Sequence, residues 1–95
     1  MNRTQSLYRK AREIIPGGVQ LLSKRPEMMA PGIWPAYYRR AKGCEITDLD
    51  DRTYLDFTTN GIGACLLGFA NDAVCDTVAR VLADGSMCTL NPPEE

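Results

Sequence analysis

A chain of 95 residues allows one small domain or part of a larger one, because at this length only about two-thirds of the unfolded surface leaves the solvent on folding. Eleven Lys and Arg against twelve Asp and Glu leave a net charge of −1 with no block of like charge, which argues against nucleic acid and anionic membranes as partners. There is no histidine, and Cys44, Cys65, Cys75 and Cys88 include no CxxC pair, so neither a zinc site of ordinary spacing nor a Cys/His or Ser/His nucleophile pair can be built from these residues.

No apolar run approaches the roughly 20 residues that a membrane crossing needs. The first stretch, MNRTQSLYRKAREII, is mixed polar and does not read as a secretory signal, so a cytoplasmic protein with reduced thiols is expected. Cys65 and Cys75 sit among apolar neighbours, where a free cysteine behaves as a small hydrophobe.

In chain order, the pattern predicts a helix over residues 4–15. Leu7, Ala11, Ile14 and Ile15 recur at helical spacing, Arg9, Lys10, Arg12 and Glu13 fill the other face, Thr4 or Ser6 can cap the start, and Pro16-Gly17-Gly18 ends it. An isolated helix of that length is marginal in water, so it reads as an arm that needs a body to lie against. Residues 16–35 form a connector broken by Pro31-Gly32 and Pro35. It reads as an irregular surface crossing in which Met28, Met29, Ile33 and Trp34 fill packing gaps, or as a binding loop with Lys24 and Arg25 as its anion-contacting residues.

Residues 36–57 read as a three-stranded antiparallel meander with strands over 36–41, 45–49 and 53–57. Lys42-Gly43 and Asp50-Asp51 make its turns, and Ile46 points inward between polar neighbours pointing outward. Residues 58–70 then form a loop with glycine at 61, 63 and 68, a spacing that fits neither the dinucleotide fingerprint nor the phosphate loop. A second helix is expected over 71–84, capped by Asn71 or Asp72, with Val74, Val78, Val81 and Leu82 on one face and Gly85 as terminator. Residues 91–95 look like the start of a further helix, with Asn91 as cap, prolines in the first turn and carboxylates near the positive end. A start signal at that place marks the chain as a fragment. The expected fold class is an α+β fragment: an N-terminal helix, a three-stranded antiparallel meander and a second helix.

The succession IIPGGV, Ala41-Lys42-Gly43, Asp48-Leu49-Asp50, Tyr54-Leu55-Asp56-Phe57, Leu67-Gly68 and Leu90-Asn91-Pro92-Pro93-Glu94 resembles the N-terminal part of class III pyridoxal-phosphate aminotransferases, in the branch of glutamate-1-semialdehyde aminomutase. The resemblance runs from about residue 6 to residue 95. It implies a cytoplasmic homodimer of fold type I, an α/β architecture several times longer than this chain. In such an enzyme a lysine binds pyridoxal 5'-phosphate as a Schiff base, and an amino group passes between a small-molecule donor and an oxo acceptor.

The same resemblance puts the cofactor-holding residues beyond this segment, and Lys10, Lys24 and Lys42 are not the cofactor lysine. The segment alone is then expected to be inactive. The substrate-side wall falls on Asn60, Gly61 and Ile62, and the arginine that grips the substrate carboxylate falls near Lys24 or Arg25. Where the aminomutase has serine and tryptophan this chain has Asn60 and Gly61, which favours a transaminase with another substrate. Asp51 stands where the family usually has a turn glycine, and aspartate tolerates the left-handed conformation. An alternative from a different class is a self-contained, non-catalytic binding or dimerisation module with residues 58–68 as its contact loop.

Overall fold

In the computed structural model of the protein, which describes residues 2–59, 61–85, 88–91 and 93, an arm helix is followed by an antiparallel sheet and a second helix. Helix α1 spans Arg3–Ile14. Its cap is Asn2 rather than Thr4 or Ser6: the Asn2 side-chain oxygen accepts the Gln5 N–H at 2.9 Å and the Thr4 hydroxyl at 2.9 Å. An asparagine just before the first turn reaches the free N–H groups there, so the helix starts earlier than residue 4. Ile15 leaves it in an extended conformation, and Gly17 and Gly18, with φ of 80° and 81°, turn the chain away.

The connector is less irregular than its composition suggests. Two single 3-10 turns, Leu22–Lys24 and Pro26–Met28, divide it. Proline opens the second because its fixed φ suits a helical start.

Strands β1 (Tyr38–Lys42), β2 (Glu45–Asp48) and β3 (Thr53–Leu55) form the expected meander in the order β1-β2-β3. Ala41 pairs with Ile46, and Ile46 with Tyr54. One extra residue, Arg39, bulges between the Tyr38–Asp48 and Arg40–Thr47 pairs and forms an ion pair with Asp51. Asp51 has a φ of 63°, the left-handed value its turn requires.

Helix α2 spans Asp72–Ala83, with the Asn71 side chain accepting the Val74 N–H at 3.2 Å. No residue of α2 is buried, and Cys75, expected among apolar neighbours, is exposed with the helix face around it. Ser86 and Met87, and Pro92, Glu94 and Glu95 of the expected third helix, lie outside the described residues.

What is buried sits at one junction, where the β2–β3 turn and the connector meet α1. Tyr8 is 6% exposed, Thr4 0% and Asp48 1%, so this small centre is largely polar. Asp48 corrects the expectation that the polar neighbours of Ile46 all point outward. Its carboxylate accepts the N–H groups of Asp50 at 2.8 Å and Arg52 at 3.0 Å and the Tyr54 hydroxyl at 3.1 Å. Those three donors are what allow a carboxylate to be buried.

Candidate functional site

The glycine loop leaves β3 and comes back to the place it left. At its outgoing end the Asp56 N–H donates to the Cys44 carbonyl at 2.8 Å, and the Thr58 N–H donates to the Asp56 carboxylate at 2.7 Å. At its returning end Gly43 and Phe69 exchange two backbone hydrogen bonds, of 2.9 and 2.8 Å. Both limbs are thus held by neighbouring residues of the β1–β2 turn. Gly68 is required for this closure: a Cβ there would lie 3.0 Å from the Gly43 Cα and 3.1 Å from its carbonyl oxygen. The next side chain along the turn adds a third fastening, since Lys42 Nζ donates to the Ala70 carbonyl at 2.7 Å and to the Asp72 carboxylate.

Between these anchors the loop folds on itself, with the Gly63 N–H donating to Thr59 at 2.7 Å and the Gly68 N–H to Cys65 at 2.9 Å. Gly61, Ile62 and Gly63 have successive φ values of 66°, 61° and 78°. Glycine takes that conformation freely, whereas Ile62, branched at Cβ, is strained in it. Its side chain is 90% exposed, so local packing does not hold it there.

A groove of about 900 Å³ opens beside the outgoing limb. Met29, Ile33 and Trp34 of the connector form one wall, Tyr38, Ile46, Tyr54 and Leu55 of the sheet another, and Phe57 and Thr58 lead from it into the loop. Met29 and Ile33 therefore line an open groove rather than fill a core, because the sheet face stands apart from the connector. Arg52 and Asp56 are its charged members.

A second cluster ties the connector to α1. The Tyr8 hydroxyl donates to the Glu27 carboxylate at 2.8 Å, and Arg12 forms a 3.6 Å ion pair with Glu27. Burial raises the Tyr8 pKa, and the Glu27 carboxylate beside it adds to the rise. Glu27 is lowered, first by its own backbone N–H and then by the Tyr8 hydroxyl. Arg25 lies across Gly17, where a Cβ would stand 2.0 Å from a guanidinium nitrogen. Its Nε is buried and has no hydrogen-bond partner among the described residues.

The residues singled out from the sequence fall in two places. Lys24 and Arg25 lie on the connector, Lys24 exposed and Arg25 half-buried; Gly61 and Ile62 lie on the glycine loop, and Asn60 lies outside the described residues. Neither group lines the large groove or the cavity of about 580 Å³ between α1 and the connector. Sequence reasoning missed the fasteners Lys42, Cys44 and Asp56, and the buried Asp48 with its neighbour Asp50. The signal was present in the AKG and D-x-D spacings, which were legible as turn chemistry but not as long-range contacts.

The chain matches known proteins over nearly its whole length. No protein-family model matches it. A glutamate-1-semialdehyde 2,1-aminomutase from Methylacidiphilum infernorum (isolate V4) is 38% identical over 92 residues, covering 97% of this chain and 21% of the relative. A 3-aminobutyryl-CoA aminotransferase from Cloacimonas acidaminovorans (strain Evry) is 30% identical over 86 residues, covering 90% of this chain and 20% of the relative. In fold, the pyridoxal-phosphate internal aldimine form of the FumI protein from Sphingopyxis sp. MTA144 superposes with a TM-score of 0.78 at 26% identity, over 96% of this chain and 21% of that one.

By sequence and fold the chain is similar to a segment of pyridoxal-phosphate aminotransferases and aminomutases. It spans about a fifth of the length of the curated relatives it matches. Of the three lysines, Lys42 is committed to Ala70 and Asp72, while Lys10 and Lys24 are exposed on α1 and the connector. Among the described residues no helix is long and apolar enough to cross a membrane, and no cluster of His, Cys, Asp and Glu could hold a metal.

Proposed function

We propose that this chain is the N-terminal segment of a class III aminotransferase, a cytoplasmic homodimer that moves an amino group from a small-molecule donor to an oxo acceptor. Pyridoxal phosphate, bound by residues outside this segment, supplies the electron sink for that chemistry. The observation that carries the reading is the superposition on a pyridoxal-phosphate protein over 96% of the chain, joined to 38% identity with an aminomutase.

In this reading the segment binds and shapes and does not itself react. Gly61 and Ile62, with Asn60, form a wall of the substrate channel. The β1–β2 turn grips both limbs of the loop that carries Gly61 and Ile62. Arg25 and Lys24 supply positive charge for a substrate carboxylate. Among the described residues the Arg25 Nε has no partner, and the guanidinium fork suits a carboxylate, which supports this role. Asn60-Gly61, in place of serine and tryptophan, leaves that wall less bulky and favours transamination of another substrate over the aminomutase reaction.

The test is a donor and acceptor panel on the full-length protein carrying this segment, loaded with pyridoxal phosphate. Transfer from at least one amine to an oxo acid, abolished when the cofactor is removed, is the expected result. Absence of transfer with every pair, in a protein that has bound the cofactor, would contradict the reading.

A further inference from the structure

We propose that Lys42 is a positioning residue for the amino substrate, a latch that fixes the returning limb of the glycine loop. The proposal rests on the reading above, in which Gly61 and Ile62 face the substrate.

Three consecutive residues of the β1–β2 turn hold the loop. Cys44 and Gly43 do so through their backbones. Lys42 does so through its side chain, and only a long cationic one reaches. Its ammonium donates to the Ala70 carbonyl at 2.7 Å and to the Asp72 carboxylate, spanning the link between the loop and α2. Ala70 has a φ of 50°, a left-handed conformation that a residue with a Cβ adopts only when its surroundings hold it. The partner of its carbonyl is Lys42.

Without the ammonium, Ala70 is free to return to an ordinary conformation. The chain between Phe69 and Asp72 then redirects, and the limb that ends at Gly68 loses its fixed exit. Lys42 is committed to Ala70 and Asp72, so its loss shifts the wall that the substrate meets and leaves the chemical step alone. In kinetic terms that is lost binding without lost turnover.

The experiment compares the full-length protein with its K42A, K42R and K42A/A70G variants. K42A is expected to raise KM for the amino donor about fivefold, the upper size of one lost solvent-exposed ion pair, with kcat within about twofold. K42R restores part of the loss, because the charge reaches but the planar fork cannot reproduce a point contact to two acceptors. Adding A70G to K42A brings KM back to within about twofold, because glycine adopts the left-handed conformation unaided.

A K42A variant with unchanged KM, with kcat reduced as much as kcat/KM, or with no relief from A70G overturns the latch. If the unsubstituted protein transfers no amino group, the aminotransferase reading falls, and hydrogen exchange still tests the latch. Faster exchange at the Gly63 and Phe69 N–H groups in K42A supports it, and unchanged exchange overturns it.

Discussion

The carboxylate of Asp50 accepts the backbone N–H of Arg3 with both oxygens, at 2.9 and 3.0 Å, so a residue of the β2–β3 turn caps a helix that begins 47 residues earlier. The Thr4 N–H also donates to it, at 3.3 Å. Free N–H groups and the positive end of the helix dipole both favour an anion there. This contact and the hydrogen bond from the Gln5 side chain to the Trp34 carbonyl, at 2.6 Å, tie α1 to the rest of the chain. Asp50→Ala is expected to cost about 1–2 kcal/mol. Urea unfolding measures the loss, and faster exchange of the Arg3 and Thr4 amides localises it; unchanged exchange there would contradict the docking.

Asp48 makes the same junction sensitive to acid. Burial pushes its pKa up, but the N–H groups of Arg52 and Asp50, the Tyr54 hydroxyl and the Arg52 charge outweigh burial and hold it below the usual carboxylate value. A group whose folded pKa is depressed stabilises the fold above its unfolded pKa, and that stabilisation disappears as pH falls through the folded value. Stability is therefore expected to fall below about pH 4. Asp48→Asn should flatten that limb at a cost on the order of 2 kcal/mol near neutral pH, since one acceptor is lost from a buried network. An acid limb equally steep in the variant would assign it to other carboxylates.

Gly68 and Gly63 separate two effects of added side chains in the same loop. Both have positive φ, 85° and 78°. A Cβ at 63 meets nothing within 4 Å, whereas one at 68 lies 3.0–3.2 Å from the Gly43 backbone, which cannot rotate away. Gly63→Ala is expected to cost about 1 kcal/mol, from the left-handed backbone alone. Gly68→Ala should cost about 3 kcal/mol, because the Gly43–Phe69 pairing must also move. Equal melting temperatures for the two variants would show that the loop does not close on the turn.

Gly17 bears on substrate binding through Arg25. A Cβ at 17 meets the guanidinium, the movable end of a long side chain, so Gly17→Ala displaces Arg25 in addition to straining the left-handed backbone at 17. The expected result is a KM for a carboxylate substrate raised about tenfold, in line with loss of a charged hydrogen bond. A neutral-tailed amine should be affected far less. Equal effects on both substrates would remove Arg25 from the carboxylate site.

The elements were legible in the sequence because each is encoded locally. Leu7, Ala11 and Ile14 mark α1 by spacing, Pro16-Gly17-Gly18 ends it, and Gly43 and Asp51 stand where the turns need positive φ. The likeness to pyridoxal-phosphate aminotransferases was legible for the same reason, as an ordered set of short motifs. The contacts that position the loop were not. Asp50 with Arg3, Lys42 with Ala70 and Asp56 with Cys44 join residues whose identities are ordinary for turns and strand ends, and no periodicity links them. Cys75 was misread for a related reason: an apolar stripe on a helix shows that the face suits burial, but not whether anything lies against it.

Amino transfer is read most directly from the visible absorbance of the full-length protein loaded with pyridoxal phosphate, followed as an amino donor and then an oxo acid are added. The bound cofactor's band is predicted to fall with the donor and return with the acceptor, which is amino transfer in two halves. A band that stays unchanged with every donor tried, while the cofactor remains bound, would contradict the claim that this chain serves an aminotransferase.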